Sequence, residues 1–432
     1  LNVRVLLATI GCKVNQADSE AIKALLISLG ASVDGDWQRT PDAVVINSCA
    51  VTGHAERDCR KLVRRARRRF PAARVALVGC VPQVNPKIVH ELPEADALFS
   101  TTQKVELVHW LTGLKPRQLD ETAAPLQPLP RPLLPSRTRP SLVVQLGCDN
   151  RCSYCVVPYA RGVERSLPPD DVQAELTQLA QRGAPEVVLV GIHLGRYGRG
   201  LDPPLDLAGL LQRLLALDLG DDPPRLRLSS LDPHEIDEHL VELLADPRIC
   251  PHVHLALQSA DPEVLQQMRR PYGPQAIEGA LELLRRIVPL TVGADVLVGF
   301  PGESQAAFER TLSACAQLEL SYLHVFPFSA RPGTAAYELE PLPPDVVRER
   351  AARMRELGER LRQSHLESSV GRTLELVVER LLPDGRAAGT TELYHPGITQ
   401  QAMQDLRVGA RLKLRAVGIE GRALVLTRAV AD

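Results

Sequence analysis

Along the first 112 residues, apolar runs of about four to eight positions alternate with stretches in which apolar residues recur every three or four positions. Short continuous apolar runs read as buried strands and the longer spacing as amphipathic helices, so the pattern predicts a parallel sheet covered by helices. The expected strands are Val3 to Ile10, Ala43 to Ile46, Arg74 to Val78 and Ala97 to Phe99. Helices are expected near Ser19 to Leu29, His54 to Phe70, Pro86 to Leu92 and Gln103 to Leu111.

The periodicity stops between Gly113 and Pro140, where seven of 28 residues are proline. Proline fixes φ and removes a backbone donor, so this stretch reads as a linker. Alternation then resumes, with strands expected at Leu142 to Leu146, Glu186 to Val190, Leu226 to Ser229, His252 to Leu257, Thr291 to Val298 and Tyr322 to Phe326. Six strands with helices between them predict a partial barrel of βα units. Asp345 to Ser368 reads as one long charged helix. Beyond it the period falls to two in Thr373 to Glu379, Arg411 to Val417 and Ala423 to Ala429, with Gly385, Gly389, Gly409 and Gly421 at the turns. That is the pattern of a small β barrel. The expected class is therefore α/β: an open parallel α/β sheet domain over 1–112, a linker over 113–140, a six-unit partial (β/α) barrel over 141–367 and a small all-β barrel over 368–432.

Composition narrows this little: 432 residues with 44% apolar and 24% charged side chains exclude a disordered tail, a collagen repeat or a coiled coil. The longest strongly apolar stretch, Val187 to Gly195, is far short of the roughly 20 residues a membrane-spanning helix needs, so no membrane partner is expected. Leu1 to Cys12 has too short an apolar stretch for a signal, with Arg4 its only basic side chain before Cys12, and reads as a first strand. The 51 Lys and Arg against 52 Asp and Glu conceal one concentration of charge. Arg57 to Arg69 holds eight basic residues in thirteen, which is either a solvated helix face or a contact for a polyanion.

The nine cysteines carry the sharpest chemistry. An odd count without a signal peptide suggests a reduced, cytosolic setting, where clustered cysteines bind metal or do redox work. Cys148, Cys152 and Cys155 form a CxxxCxxC directly after the first expected barrel strand. Three thiolates are one short of a closed zinc site and no histidine stands at suitable spacing; a four-iron cluster held by three cysteines instead keeps one iron open. Cys12, Cys49 and Cys80 are scattered, yet each ends an expected strand. In a parallel sheet those ends share one edge, where open α/β sheets bind ligands, so the three thiols either converge there or are core cysteines. Gly11 and Gly79 beside them allow close backbone approach. Cys59, Cys250 and Cys315 read as ordinary packed thiols.

The CxxxCxxC after the first strand of a six-unit barrel, with Tyr154 before its last cysteine, resembles the radical S-adenosylmethionine (SAM) superfamily. The whole chain resembles its methylthiotransferases. Thr9 to Glu20 (TIGCKVNQADSE), Asn47 to Thr52 (NSCAVT), Gly79-Cys80, Val156 to Gly162 (VVPYARG) and Gly299 to Glu303 (GFPGE) carry the resemblance. The combination of GCKVNQADSE, NSCAVT and Gly191 to Gly198 (GIHLGRYG) is most similar to the branch that adds a methylthio group to carbon 2 of N(6)-threonylcarbamoyladenosine at position 37 of tRNA. The match departs at Leu167, where the family often has an arginine.

The resemblance implies two [4Fe-4S] clusters, one on Cys148, Cys152 and Cys155 that binds SAM and an auxiliary one on Cys12, Cys49 and Cys80. No catalytic residue beyond the cluster ligands is implied. SAM contacts are expected at Gly191, Ser229, Gln258 and Gly299. His193, His254, Asp295 and Glu303 stand at similar strand ends and read as polar residues of the barrel mouth. The C-terminal barrel resembles the tRNA-binding TRAM domain. The anticodon loop is expected to meet Arg60, Arg64, Arg68 and Tyr394, with Arg372, Arg386 and Arg411 as further cations. The remaining expected partner is a low-potential electron donor, and the expected location is the cytoplasm. The chemistry suits the task, because an unactivated adenine C-H offers acid-base groups no easily removed proton whereas a carbon radical can take the hydrogen atom. The alternatives at this point are isopentenyladenosine in tRNA or a ribosomal-protein side chain as substrate, or a non-enzymatic iron-sulfur regulator that binds RNA and reports redox state.

Overall fold

The computed structural model describes residues 3–113, 138–403 and 406–428. The expected linker over 113–140 therefore lies almost wholly outside the described residues. The chain forms two compact units. The first combines the chain up to residue 113 with Gly147–Glu164 and Ser329–Tyr337; the second combines residues 138–146, Arg165–Phe328 and the chain from Glu338 onward.

In the first unit, strands β1 (Arg4–Thr9), β2 (Ser32–Asp34), β3 (Ala43–Ser48), β4 (Arg74–Gly79) and β5 (Ala97–Phe99) form one parallel sheet in the order β2-β1-β3-β4-β5. Alternate side chains of β1, β3 and β4 point to opposite faces. Leu6, Val44, Ile46, Val75 and Leu77 pack against Cys59, Val63 and Ala66 of helix α2 (Gly53–Arg69). Val5, Val45, Ala76 and Val78 pack against Ile22, Leu25 and Leu26 of α1 (Lys13–Ser28). Every residue of β3 is buried, which is why its first four, Ala43 to Ile46, read as one continuous apolar run. The sequence of elements continues with α3 (Cys80–Val84), α4 (Ile88–Glu91), α5 (Lys104–Thr112) and, in the returning segment, α6 (Val157–Arg161).

Two differences from expectation have local causes. Helix α1 starts six residues before Ser19, because its first turns bury polar Asn15 and Ser19 and so show no apolar period. β2 is a three-residue edge strand of polar sequence, too short for a periodicity to register.

In the second unit, β6 (Ser141–Leu146), β7 (Arg165–Ser166), β8 (Glu186–Gly191) and β9 (Arg225–Leu228) form one sheet, in which only β7 is antiparallel. β10 (His252–Gln258), β11 (Thr291–Val298) and β12 (Tyr322–Pro327) form a parallel continuation, joined through a bridge between Leu231 and Leu255. The six parallel strands make the expected partial barrel around one extensive apolar core. The helix Pro344–Ser369 buries Ala351, Met354 and Leu357 in that core. A closed barrel follows in the order β13-β14-β15-β17-β16. Its strands are β13 (Thr373–Leu381), β14 (Ala387–Thr391), β15 (Pro396–Thr399), β16 (Arg411–Glu420) and β17 (Ala423–Arg428). β14 and β15 were not expected, since their short runs of Ala, Gly, Thr and Pro lack apolar alternation. Among the described residues, no helix is long and apolar enough to cross a membrane.

Candidate active site: two sets of cysteines in one unit

In the first sheet the strand order reverses between β1 and β3, and the crevice at such a switch point is where open sheets bind ligands. Cys12 stands at the start of α1 after β1, Cys49 directly follows β3, and Cys80 opens α3 after β4. Asn15, fully buried on the first turn of α1, organises this edge. Its Nδ2 donates to the carbonyls of Ile10 at 2.9 Å and Ser48 at 2.8 Å, tying the two strand ends together. Its Oδ1 lies 3.8 Å from Cys12 Sγ and 3.9 Å from Cys80 Sγ. Gly11 has φ +122°, and a Cβ there would stand 2.7 Å from Cys49 Cβ; Gly79, with φ +105°, would collide with Asn47 and Ser48. The glycines next to the cysteines are thus what lets neighbouring strand ends come this close.

A cation completes the group. Arg161, on α6, donates from Nη1 to Asp18 Oδ2 at 2.6 Å and from Nη2 to Asn15 Oδ1. Asp18 also accepts from Lys104 Nζ. Burial pushes the Cys49 thiol up to about 11 and raises Cys80 as well, so thiolates at this edge need positive charge or metal to form. Cys59, Cys250 and Cys315 are fully buried, and burial raises each to about 12, in accord with their reading as packed thiols.

Cys148, Cys152 and Cys155 lie on the loop between β6 and α6. That loop belongs to the same compact unit as the N-terminal sheet. It is held by Cys148 N donating to Gly162 O at 3.2 Å, by Cys155 N donating to Cys152 O at 3.0 Å, and by Ala336 N donating to Ser153 O at 2.7 Å. The segment carrying Ala336 is also fixed to α2: Gly53 N donates to Ser329 Oγ at 2.8 Å, and Arg331 pairs with Glu56.

The donor sets fit iron-sulfur clusters better than single ions. Four thiolates on one zinc stand about 3.8 Å apart. Among the described residues, the triads with ligand atoms within 4.8 Å of one another are His254, Asp295, His324 and His193, Asp232, Glu235; neither contains a cysteine. Three thiols per set are one short of a closed four-ligand zinc site, whereas a four-iron cluster held by three cysteines keeps one iron open.

The second unit holds the residues expected near SAM. Gly191 ends β8, Ser229 follows β9, Gln258 ends β10 and Gly299 follows β11, all on the C-terminal edge of the barrel strands. Gly191 N donates to Ser229 Oγ at 3.3 Å. Gln258 is left-handed, with φ +61°, at an irregularity in the β10-β11 pairing. Gly299 N donates to Glu303 Oε2 at 2.8 Å, and Glu303 is paired with Arg350. His193 Nε2 lies 2.7 Å from Glu235 Oε1. His254 bridges Tyr322 Oη, 3.0 Å from Nδ1, and Asp295 Oδ1, 2.8 Å from Nε2.

The expected tRNA contacts divide. Arg68 is exposed and makes no ion pair among the described residues; Arg64 is half exposed and 3.4 Å from Glu94. Arg60 differs from both, its guanidinium being held by Glu56 at 2.9 Å and Glu91 at 2.6 Å. The half-buried Tyr394 ring packs 4.4 Å from that of His252 and beneath the Arg227 guanidinium. Arg386 is paired with Asp384 and Glu420 and Arg411 with Asp222, whereas exposed Arg372 donates to Ser368 O at 3.1 Å and makes no ion pair among the described residues.

Residues 142–315 match the Radical SAM superfamily, and residues 4–100 match Uncharacterized protein family UPF0004. The threonylcarbamoyladenosine tRNA methylthiotransferase MtaB of Rickettsia prowazekii is 33% identical over 428 residues, which are 97% of this chain and 96% of that protein. The chain belongs to the radical SAM tRNA methylthiotransferases. A tRNA-2-methylthio-N(6)-dimethylallyladenosine synthase of Syntrophotalea carbinolica is 32% identical over 397 residues, 86% of this chain and 87% of that one. Among solved structures, the radical SAM methyltransferase TsrM of Kitasatospora setae shares the fold, with TM-score 0.56 at 18% identity over 78% of this chain and 77% of that one. Enzymes of this family work with SAM and a [4Fe-4S] cluster, and its methylthiotransferases carry a second cluster, the cofactor set expected from the sequence. The roles missed by sequence reading were those of Asn15, Asp18, Lys104 and Arg161. The signal was present in the TIGCKVNQADSE and VVPYARG segments, but nothing in their spacing revealed that the two would meet.

Proposed function

We propose that this methylthiotransferase adds its methylthio group to carbon 2 of N(6)-threonylcarbamoyladenosine at position 37, in the anticodon loop of tRNA. The convergence of Cys12 and Cys80 on Asn15, with Cys49 packed against Gly11, in the unit that also holds Cys148, Cys152 and Cys155, carries this reading. In it, each triple of cysteines holds one [4Fe-4S] cluster. When bound, these cofactors supply the carbon radical that takes hydrogen from an adenine carbon and the sulfur that replaces it. The protein's own contribution is positional: three thiolates per cluster would leave one iron open, and backbone bonds hold the CxxxCxxC loop that would carry one of the clusters.

The threonylcarbamoyl branch is favoured by the near full-length similarity to the Rickettsia protein, whose name specifies that nucleoside. The Syntrophotalea protein supports a second reading, with dimethylallyladenosine as substrate. In either case the target base lies in an unpaired loop, where bases are splayed and contacted with little melting cost. The exposed cations of α2 would meet the phosphates. A low-potential electron donor and a cytoplasmic location complete the proposal.

The test is mass spectrometry of tRNA nucleosides after anaerobic incubation of the cluster-loaded protein with SAM, a reductant and tRNA from cells lacking the gene. The 2-methylthio derivative of threonylcarbamoyladenosine is the expected product. The dimethylallyl derivative instead would establish the second reading. SAM cleavage without any nucleoside change would overturn both and direct attention to a protein substrate.

A further inference from the structure

Arg161 is almost completely buried, with 6% of its side chain exposed, and reaches toward the three-thiol edge. Its guanidinium shares Asn15 Oδ1 with the thiols of Cys12 and Cys80. It also interacts electrostatically with both thiols. Arg161 and Lys104 both bind Asp18, one on each carboxylate oxygen. Two cations thus share one carboxylate, leaving one positive charge without a partner in this group.

A buried charge without a counter-charge costs several kcal/mol, so an arrangement of this kind implies an anion. Three thiolates around a four-iron core in its oxidised, doubly positive form carry one net negative charge, and an anionic sulfur bound at the fourth iron would add to it. Arginine rather than lysine suits the position. Its planar fork reaches Asp18 and Asn15 while still facing the sulfur atoms, which a single ammonium group on a flexible stem would not do.

Arg161 is also mechanically tied to the other cysteines. Helix α6 begins two residues after Cys155, and Gly162, which ends it, accepts from Cys148 N. The loop with the CxxxCxxC therefore carries the cation that serves the other three thiols.

We propose that Arg161 is the counter-cation of the auxiliary cluster, setting its reduction potential and its affinity for anionic sulfur of the hydrosulfide class. This rests on the reading that Cys12, Cys49 and Cys80 hold that cluster. Arg161 acts through the cluster and is a positioning residue.

The experiment uses the full chain with Cys148, Cys152 and Cys155 all changed to Ala, reconstituted anaerobically so that only the auxiliary cluster forms. Potential is followed by EPR-monitored redox titration, and hydrosulfide affinity by the change in the EPR spectrum on adding sodium hydrosulfide. Arg161→Gln is expected to lower the potential, because reduction adds negative charge, and to weaken hydrosulfide binding by about tenfold. Arg161→Lys should recover part of both. Lys104→Gln and Asp18→Asn change the same charge balance without touching a thiol. The first should shift the potential down and the second up, opposite signs that loss of a structural strut would not produce. Unchanged potential and affinity in Arg161→Gln, or shifts of one sign throughout, would overturn the proposal. Failure of the triple-Ala chain to bind iron while the native chain does would overturn the ligand assignment beneath it, and the proposal with it.

Discussion

Glu186 and Arg227 stand on neighbouring strands with no exposed surface, joined by hydrogen bonds from Arg227 Nε to Glu186 Oε1 at 2.7 Å and from Nη2 to Oε2 at 3.0 Å. Burial alone would raise this carboxyl, but the guanidinium groups of Arg227 and Arg225 bring it down to about 2. Arg227 also donates to the carbonyls of Thr391 and Glu392, so the pair fastens the C-terminal barrel to the partial barrel. Glu186→Gln leaves a buried guanidinium without its counter-charge and is expected to destabilise by about 3–5 kcal/mol. Denaturant unfolding measures the loss, and limited proteolysis should then release the C-terminal barrel first. A change within about 0.5 kcal/mol would show the pair to be dispensable.

The two cysteine sets should separate by chemistry. Cys49→Ala is expected to halve the iron from about eight to about four per chain and abolish methylthiolation, while SAM is still cleaved to 5'-deoxyadenosine. Cys152→Ala should abolish both reactions. Iron analysis and chromatography of the products check this; loss of SAM cleavage in Cys49→Ala at unchanged iron in the other site would contradict the division of labour.

Exposed cations on α2 predict a salt-sensitive interface. Each phosphate neutralised contributes roughly 0.7 to 0.9 to the slope of log affinity against log salt. Changing Arg64 and Arg68 together to Ala should weaken tRNA binding and reduce that slope by between about 1 and 2. Arg60→Ala, removing a cation already held by Glu56 and Glu91, should alter the slope much less. Filter binding over a salt series distinguishes these, and equal slopes in all variants would remove α2 from the interface.

Acid should weaken the second unit through two histidines. Burial lowers His365 to about 4 and His395 to about 3, where their rings pack 4.7 Å apart. His365 Nε2 meets Thr291 Oγ1 at 2.9 Å and His395 Nε2 meets Ser369 Oγ at 3.0 Å. In the unfolded chain each takes its proton near 6.5, so the unfolded state binds more protons below that pH. Their contribution is complete above about 6.5 and is lost as the pH falls toward about 4, on the order of 3 kcal/mol for His365 alone. Thermal midpoints between pH 7.5 and 4.5 should fall, and the fall should be shallower when both residues are changed to Gln. An identical slope in that double variant would place the acid sensitivity elsewhere.

Local pattern alone was enough to locate most strands and helices, because short buried runs and amphipathic periods directly reflect the surfaces that each element buries. It also separated Cys148, Cys152 and Cys155 from the solitary thiols, since ligands on one loop must be close in sequence. Cys12, Cys49 and Cys80 were legible as a set only through their common place at strand ends. Their approach around Asn15 depends on the order β2-β1-β3-β4-β5, which brings β1 beside β3 although α1 and β2 lie between them in the chain. Helix α1 was located late for the same reason: its early residues Asn15 and Ser19 face strand ends and make polar contacts. Only the tertiary structure could show that Arg60 is spent on two glutamates, that Tyr394 is packed beneath Arg227, and that Arg161 crosses 143 positions of sequence to reach Asp18. Such pairings are set by long-range packing, which determines where a charged or aromatic side chain finds its partner and leaves no periodic trace in the sequence around it.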